Sequence, residues 1–138
     1  MEEMAVTTAI SPSGNFWCGK RVLITGHSGF KGSWLTLWIH RLGAEVTGVS
    51  LPPNTEPNLF SLAGIDQLCR SHFVDIRDEK AIAMQIKASR PEIVFHLAAQ
   101  PLVRASYRNP LETFSTNVMR TANLAEALID LAVICLAV

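Results

Sequence analysis

Cysteine is scarce and scattered. Cys18, Cys69 and Cys135 are odd in number and include no C-x-x-C pair, which argues against a disulfide framework and against a zinc site of the usual spacing. An excess of charge is also missing. Twelve basic residues face twelve acidic ones, so nothing electrostatic calls for nucleic acid or an anionic membrane as a partner. No stretch reaches the roughly 18 uninterrupted apolar residues of a membrane-spanning helix. The opening 15 residues, MEEMAVTTAISPSGN, lack the basic segment and apolar core of a secretory signal and are expected to form a disordered leader. A soluble, cytoplasmic chain is the expectation. Its 138 residues leave room for one modest domain.

Against these absences, Lys20 to Leu35, KRVLITGHSGFKGSWL, carries a strong positive signal. Val22, Leu23 and Ile24 form the continuous apolar run of a parallel strand covered on both faces. Glycines follow at 26, 29 and 32, with a helix beginning near Phe30. That order lets backbone N–H groups approach a diphosphate at the positive end of a helix dipole. A Walker loop needs Lys followed by Ser or Thr after its second glycine, whereas here the order is Lys31-Gly32-Ser33, so that alternative is rejected.

The periodicity predicts the first crossover helix over Phe30 to Leu42, ended by Gly43, with apolar residues at 30, 34, 38 and 42. Trp34 and Trp38 read as core residues on that stripe. A second strand is expected over Ala44 to Val49. Its exit, Ser50-Leu51-Pro52-Pro53, lacks the acidic residue that usually accepts the adenosine ribose hydroxyls. Glu45 enters the strand at the wrong end and reads as a solvated charge. The missing acid leaves the choice between NAD and NADP open, with Lys31 or a later basic group available to a 2′-phosphate.

A third strand over Arg70 to Val74 ends in Asp75-Ile76-Arg77-Asp78. Asp78 reads as the N-cap of the helix that ends near Arg90, worth about 1 kcal/mol. Asp75 stands on the same rim as the glycine turn, where its carboxylate can accept from an adenine amino group. Pro91 stops the helix, and Glu92 to His96 is the fourth strand, running into Leu97-Ala98-Ala99-Gln100. His96 reads as a satisfied core side chain. Asn109 caps a long helix with Pro110 at its first position. The apolar positions 111, 114, 118, 122, 125, 129 and 132, with a second stripe at Leu124, Leu128 and Leu131, predict burial of that helix on both sides. The pattern as a whole is α/β: a Rossmann-like doubly wound parallel sheet of four to five strands over residues 16–130. The uncharged tail, Leu131 to Val138, is expected to extend as a fifth strand or to remain an apolar edge that drives self-association.

The glycine turn TGHSGFKG resembles the nucleotide turn of the extended short-chain dehydrogenase/reductase family. DIRD resembles its adenine motif and HLAAQ its fourth-strand motif, and Thr116-Asn117-Val118 follows in the same order. The stretch from Phe16 to about Ile129 is similar to the amino-terminal part of the family's nucleotide-sugar 4,6-dehydratases, most distinctively in PNTEPNLFSLAGI and HLAAQPLVRASYRNPLETFSTNVM. The resemblance implies NAD as cofactor, a nucleotide-linked sugar as substrate and a homo-oligomer in the complete enzyme. It implies that Gly26, Gly29, Phe30, Lys31 and Gly32 surround the diphosphate and that Asp75 and Ile76 hold the adenine. Leu97, Ala98, Ala99, Gln100 and Thr116 would border the nicotinamide side, and Arg104 would contact the sugar nucleotide.

One departure from the family is large. Its chemistry uses a Tyr-x-x-x-Lys pair, in which the lysine lowers the tyrosine pKa so that the phenol takes the sugar hydroxyl proton. The only tyrosine here is Tyr107, four residues before Leu111, and all four lysines precede it. The 138 residues therefore read as the cofactor half of a longer product, a truncated or misread copy with no catalytic residue of its own.

Overall fold

Val22, Leu23 and Ile24 are at most 1% exposed, and the strand carrying them, β1 (Arg21–Thr25), is the centre of a five-stranded sheet. The computed structural model describes residues 14–99, 103–133 and 135–137. The expected leader up to residue 13 and Gln100 lie outside the described residues. Gly14 and Asn15, expected in that leader, instead open a one-turn helix, α1 (Gly14–Trp17).

After β1 the chain runs through α2 (Phe30–Arg41), β2 (Glu45–Ser50), α3 (Leu59–Leu62), α4 (Ile65–Leu68), β3 (Arg70–Phe73), α5 (Glu79–Ser89) and β4 (Ile93–His96). It continues through α6 (Val103–Arg108), α7 (Pro110–Phe114), a π-helical turn (Ser115–Met119), α8 (Arg120–Ala127) and β5 (Cys135–Ala137). The strand order is β3-β2-β1-β4-β5, and every pairing is parallel. Val22 is in register with Val46 on one side and Ile93 on the other. The order reverses between β1 and β4, which is where a doubly wound sheet opens a crevice at its carboxyl ends.

Both faces of the sheet are covered. On one face Leu23, Val49 and Val94 pack with Ile82 and Ile86 of α5 and with Leu124 and Leu128. On the other, Val22, Ile24, Val46 and Ile93 pack with Ile39 of α2. Alternate residues of one strand serve opposite cores, which explains why β1 is apolar without interruption.

Two expected apolar faces lie on the outside. Phe30, Trp34 and Trp38 are 71%, 52% and 53% exposed, and α2 buries Gly32, Ser33, Thr36 and Ile39 instead. The reason is steric: a Cβ on Gly32 would fall 2.0 Å from the Gly26 carbonyl oxygen, so the helix comes too close to the turn for large side chains on that face. Likewise Leu111, Phe114, Val118 and Ile129 are exposed, while Leu124 and Leu128 are buried. The long helix is thus covered on one side, not two. Phe16 is half exposed, and Trp17 packs against the second core, near Phe95.

The tail turns at residues 128–130 without Gly or Pro, and Cys135–Ala137 then pairs with β4. Among the described residues no helix is long and apolar enough to cross a membrane.

Candidate functional site: a dinucleotide turn at the sheet's switch point

The carboxyl ends of β1, β2, β3 and β4 share one rim, as their parallel pairing requires. The glycine turn leaves β1 at that rim. Gly26 has a φ of +78°, a region that disfavours side chains, and a Cβ there would come within 2.8 Å of the Ala98 nitrogen. Its amide donates to the Val49 carbonyl at 2.7 Å. The turn is therefore pressed between the exits of β2 and β4.

Gly29 is the N-cap of α2 and brings no side-chain hydrogen bond, and the first turn holds no acidic residue. The first amides of a helix have no intrahelical partner, so Phe30, Lys31 and Gly32 present N–H groups without a side-chain cap. A Cβ on Gly29 would meet only the Gly26 oxygen, at 3.3 Å, leaving the approach to these amides open. Such an end suits a diphosphate in charge and in access.

The β4 shelf is held by a directed chain of hydrogen bonds. Thr121 Oγ1 donates to the Asn117 carbonyl at 2.7 Å, so it accepts from His96 Nε2 at 3.0 Å. His96 Nδ1 then accepts from Thr25 Oγ1 at 2.7 Å, and Thr25 Oγ1 accepts from the Ala98 amide at 3.2 Å. His96 is the satisfied core side chain expected of it, its pKa lowered by burial. The chain of bonds connects Leu97-Ala98-Ala99 to the π-helical turn that carries Thr116, an element often found at functional sites. Arg104 is exposed on α6.

Asp78 caps α5, accepting from the Ala81 amide at 3.0 Å. Glu45 is exposed at the entry of β2, 3.9 Å from Arg70. Asp75 is held more tightly than the sequence indicates. It accepts from the Arg77 amide at 2.8 Å and from the Arg77 guanidinium at 2.7–3.1 Å, and these bonds keep its carboxyl below its ordinary pKa. A carboxylate offers about four lone-pair sites and Arg77 makes four contacts with it, so a further donor has to share an oxygen with Arg77. Ile76, next in sequence, lines a cleft of about 190 Å³ between α5 and α8, together with Arg120 and Asn123.

Sequence reasoning missed His27. Its side chain is fully buried, with Nδ1 3.0 Å from Ser50 Oγ and Nε2 2.6 Å from Ser71 Oγ. Phe60 meets the ring edge-on at 5.4 Å and Phe73 stacks on it at 6.2 Å. Burial pushes its pKa down to about 4, so it is neutral. Gly48 was the available signal, since glycine inside a strand marks a close approach.

A helix start without a side-chain cap, set among glycines 26, 29 and 32 at the switch point of a parallel sheet, defines a Rossmann-type nucleotide-binding domain. The chain belongs to the NAD dependent epimerase/dehydratase family, whose model matches residues 22–135. It is 55% identical over 112 residues to the CDP-glucose 4,6-dehydratase of Salmonella typhimurium, a match covering 81% of this chain and 31% of that protein. It is 32% identical over 114 residues to the UDP-glucose 4-epimerase of Mycoplasma genitalium, covering 80% and 32%. Among solved structures it resembles the UDP-glucose-4-epimerase of Stenotrophomonas maltophila with bound NAD and formylated UDP-arabinopyranose, with a TM-score of 0.71 and 28% identity over 85% of this chain and 35% of that one. The NAD complex of the Thermus thermophilus UDP-glucose 4-epimerase matches with a TM-score of 0.69 and 30% identity, over 78% and 33%. The chain thus spans about a third of the length of the curated relatives it matches.

Proposed function

We propose that this chain is the NAD-binding half of a CDP-glucose 4,6-dehydratase, an enzyme that forms CDP-4-dehydro-6-deoxyglucose and water. The observation that carries the reading is the N-terminus of α2, without a side-chain cap, behind Gly26 and Gly29 and with Gly32 in its first turn, and the 55% identity to a CDP-glucose 4,6-dehydratase supports the choice of sugar nucleotide. In the complete enzyme, bound NAD would supply a reversible hydride acceptor for the sugar. The amides of Phe30, Lys31 and Gly32 bind the diphosphate, with Lys31 adding charge at the helix start. Asp75 and Ile76 bind the adenine, and Leu97, Ala98, Ala99 and Thr116 border the nicotinamide; Gln100 is assigned with them from sequence alone. Arg104 contacts the sugar nucleotide. The exposed row Leu111, Phe114, Val118 and Ile129 supplies an apolar face for self-association.

Proton transfer needs a Tyr-x-x-x-Lys pair, and no lysine follows Tyr107, so the 138 residues bind cofactor without turning over substrate. Calorimetric titration with NAD should give saturable binding, and incubation with CDP-glucose and NAD should leave the 4-keto product at background. Absence of NAD binding in the folded chain overturns the cofactor assignment, and turnover in a preparation free of host dehydratase overturns the inactivity. The UDP-glucose 4-epimerases among the relatives favour a second reading, the cofactor half of an epimerase. A non-catalytic nucleotide-binding remnant would share the same turn.

A further inference from the structure

We propose that His27 is a positioning residue that locks the diphosphate-binding turn to the exits of β2 and β3 and so sets the geometry of the helix start that receives the phosphates. This rests on the cofactor reading above and adds to it a residue whose ring is bonded to β2 and β3.

Six neighbours meet in this one residue. Its ring bridges Ser50 Oγ on β2 and Ser71 Oγ on β3 at 3.0 and 2.6 Å. Its carbonyl accepts from Ser33 Oγ at 3.0 Å, which ties it to the first turns of α2. Its ring occupies the space that a Gly48 side chain would need, and Phe60 and Phe73 close it off. Ser33 is itself fully buried, and its amide donates to the Gly29 carbonyl at 2.8 Å. A shift of the ring is therefore passed through the His27 backbone to Gly29 and Ser33, the residues that bracket the free amides. A turn of small residues has few contacts by which its position can be fixed. The imidazole supplies two hydrogen bonds and an aromatic body where glycine would supply none.

The test uses the full chain with two variants. Ser71→Ala removes the Nε2 partner from β3 without altering the turn's own residues, and His27→Asn keeps a short polar group that cannot span both serines. The expected result is a loss of NAD affinity of about fivefold in Ser71→Ala and more in His27→Asn, the size of one and of several lost hydrogen bonds. Adenosine, which has no diphosphate, should bind each variant as it binds the parent. Backbone hydrogen exchange should quicken in residues 26–33 and stay unchanged in β1 and β4. Equal losses for NAD and adenosine would mean general destabilisation and overturn the positioning role, as would unchanged NAD affinity with unchanged exchange. If the parent itself fails to bind NAD, the cofactor reading falls, and the exchange measurement alone still decides whether His27 holds the turn. Should His27→Asn not fold, Ser71→Ala carries the test.

Discussion

The imidazole of His27 lies on Gly48: a Cβ added at Gly48 would stand 2.3 Å from its Cδ2 and 2.4 Å from its Cγ. A glycine in the middle of a strand thus makes room for a ring from the turn after the neighbouring strand. Gly48→Ala should destabilise the chain by about 1–3 kcal/mol, the usual cost of overpacking a filled core. Urea unfolding measures it, and an unchanged midpoint would show that the ring can move aside at no cost.

Gly29 and Gly32 should respond differently to substitution. Gly29 has a φ of −74°, and a Cβ there meets only one atom, at 3.3 Å, so Gly29→Val is expected to fold and to lose NAD binding because its branched side chain enters the phosphate space. A Cβ on Gly32 would fall 2.0 Å from the Gly26 oxygen and 2.7 Å from its carbonyl carbon. Gly32→Ala should therefore damage the turn itself. Circular dichroism and calorimetric titration separate the two outcomes, and unchanged NAD affinity in a folded Gly29→Val variant would remove the turn from the cofactor site.

His27 should make the fold sensitive to mild acid. Its pKa is about 4 in the folded chain against an ordinary 6.5, so between those values the unfolded chain carries a proton that the folded chain does not. Stability is complete above pH 6.5 and falls as the pH drops toward 4, by about 3 kcal/mol for a shift of this size. His27→Asn should be less stable at neutral pH and should flatten this slope. Unfolding midpoints from about pH 4 to about pH 7 check it, and an equal slope in both proteins would contradict the burial of a neutral imidazole.

Asp75 acts with the opposite sign and in a lower window. Arg77 holds its carboxyl below the ordinary 3.8, so its contribution is present above pH 3.8 and is lost as the pH falls through the lowered value. Asp75→Asn should remove that part of the acid sensitivity while leaving the Asp78 cap intact. It should also weaken NAD binding by about 1–3 kcal/mol if the carboxylate accepts from adenine. Calorimetry at neutral pH reads the second effect, and unchanged affinity would take Asp75 out of the site.

Much of this molecule is legible in its residues because the informative signals are local. An apolar triplet followed by glycines at 26, 29 and 32 specifies a buried strand, a turn and a helix start; Asp78 ahead of a helical period specifies a cap; Pro91 ends α5. The glycine turn, DIRD and HLAAQ, in that order, carry the resemblance to the NAD dependent epimerase/dehydratase family whose model matches residues 22–135. Periodicity, however, identifies the faces of a helix without saying which one its neighbour will accept. On α2 the aromatic row loses to Gly32, Ser33 and Thr36 because contact with the Gly26 carbonyl admits only small side chains. On the long helix, Leu124 and Leu128 reach the sheet while Leu111 and Phe114 do not. The partners of single polar groups are equally out of reach. Arg77 reads as part of a motif, yet it is what holds Asp75, and His27 meets Ser50 and Ser71, 23 and 44 residues away. Local signals set the elements and their order; only the packing of parallel strands brings those distant side chains within bonding distance.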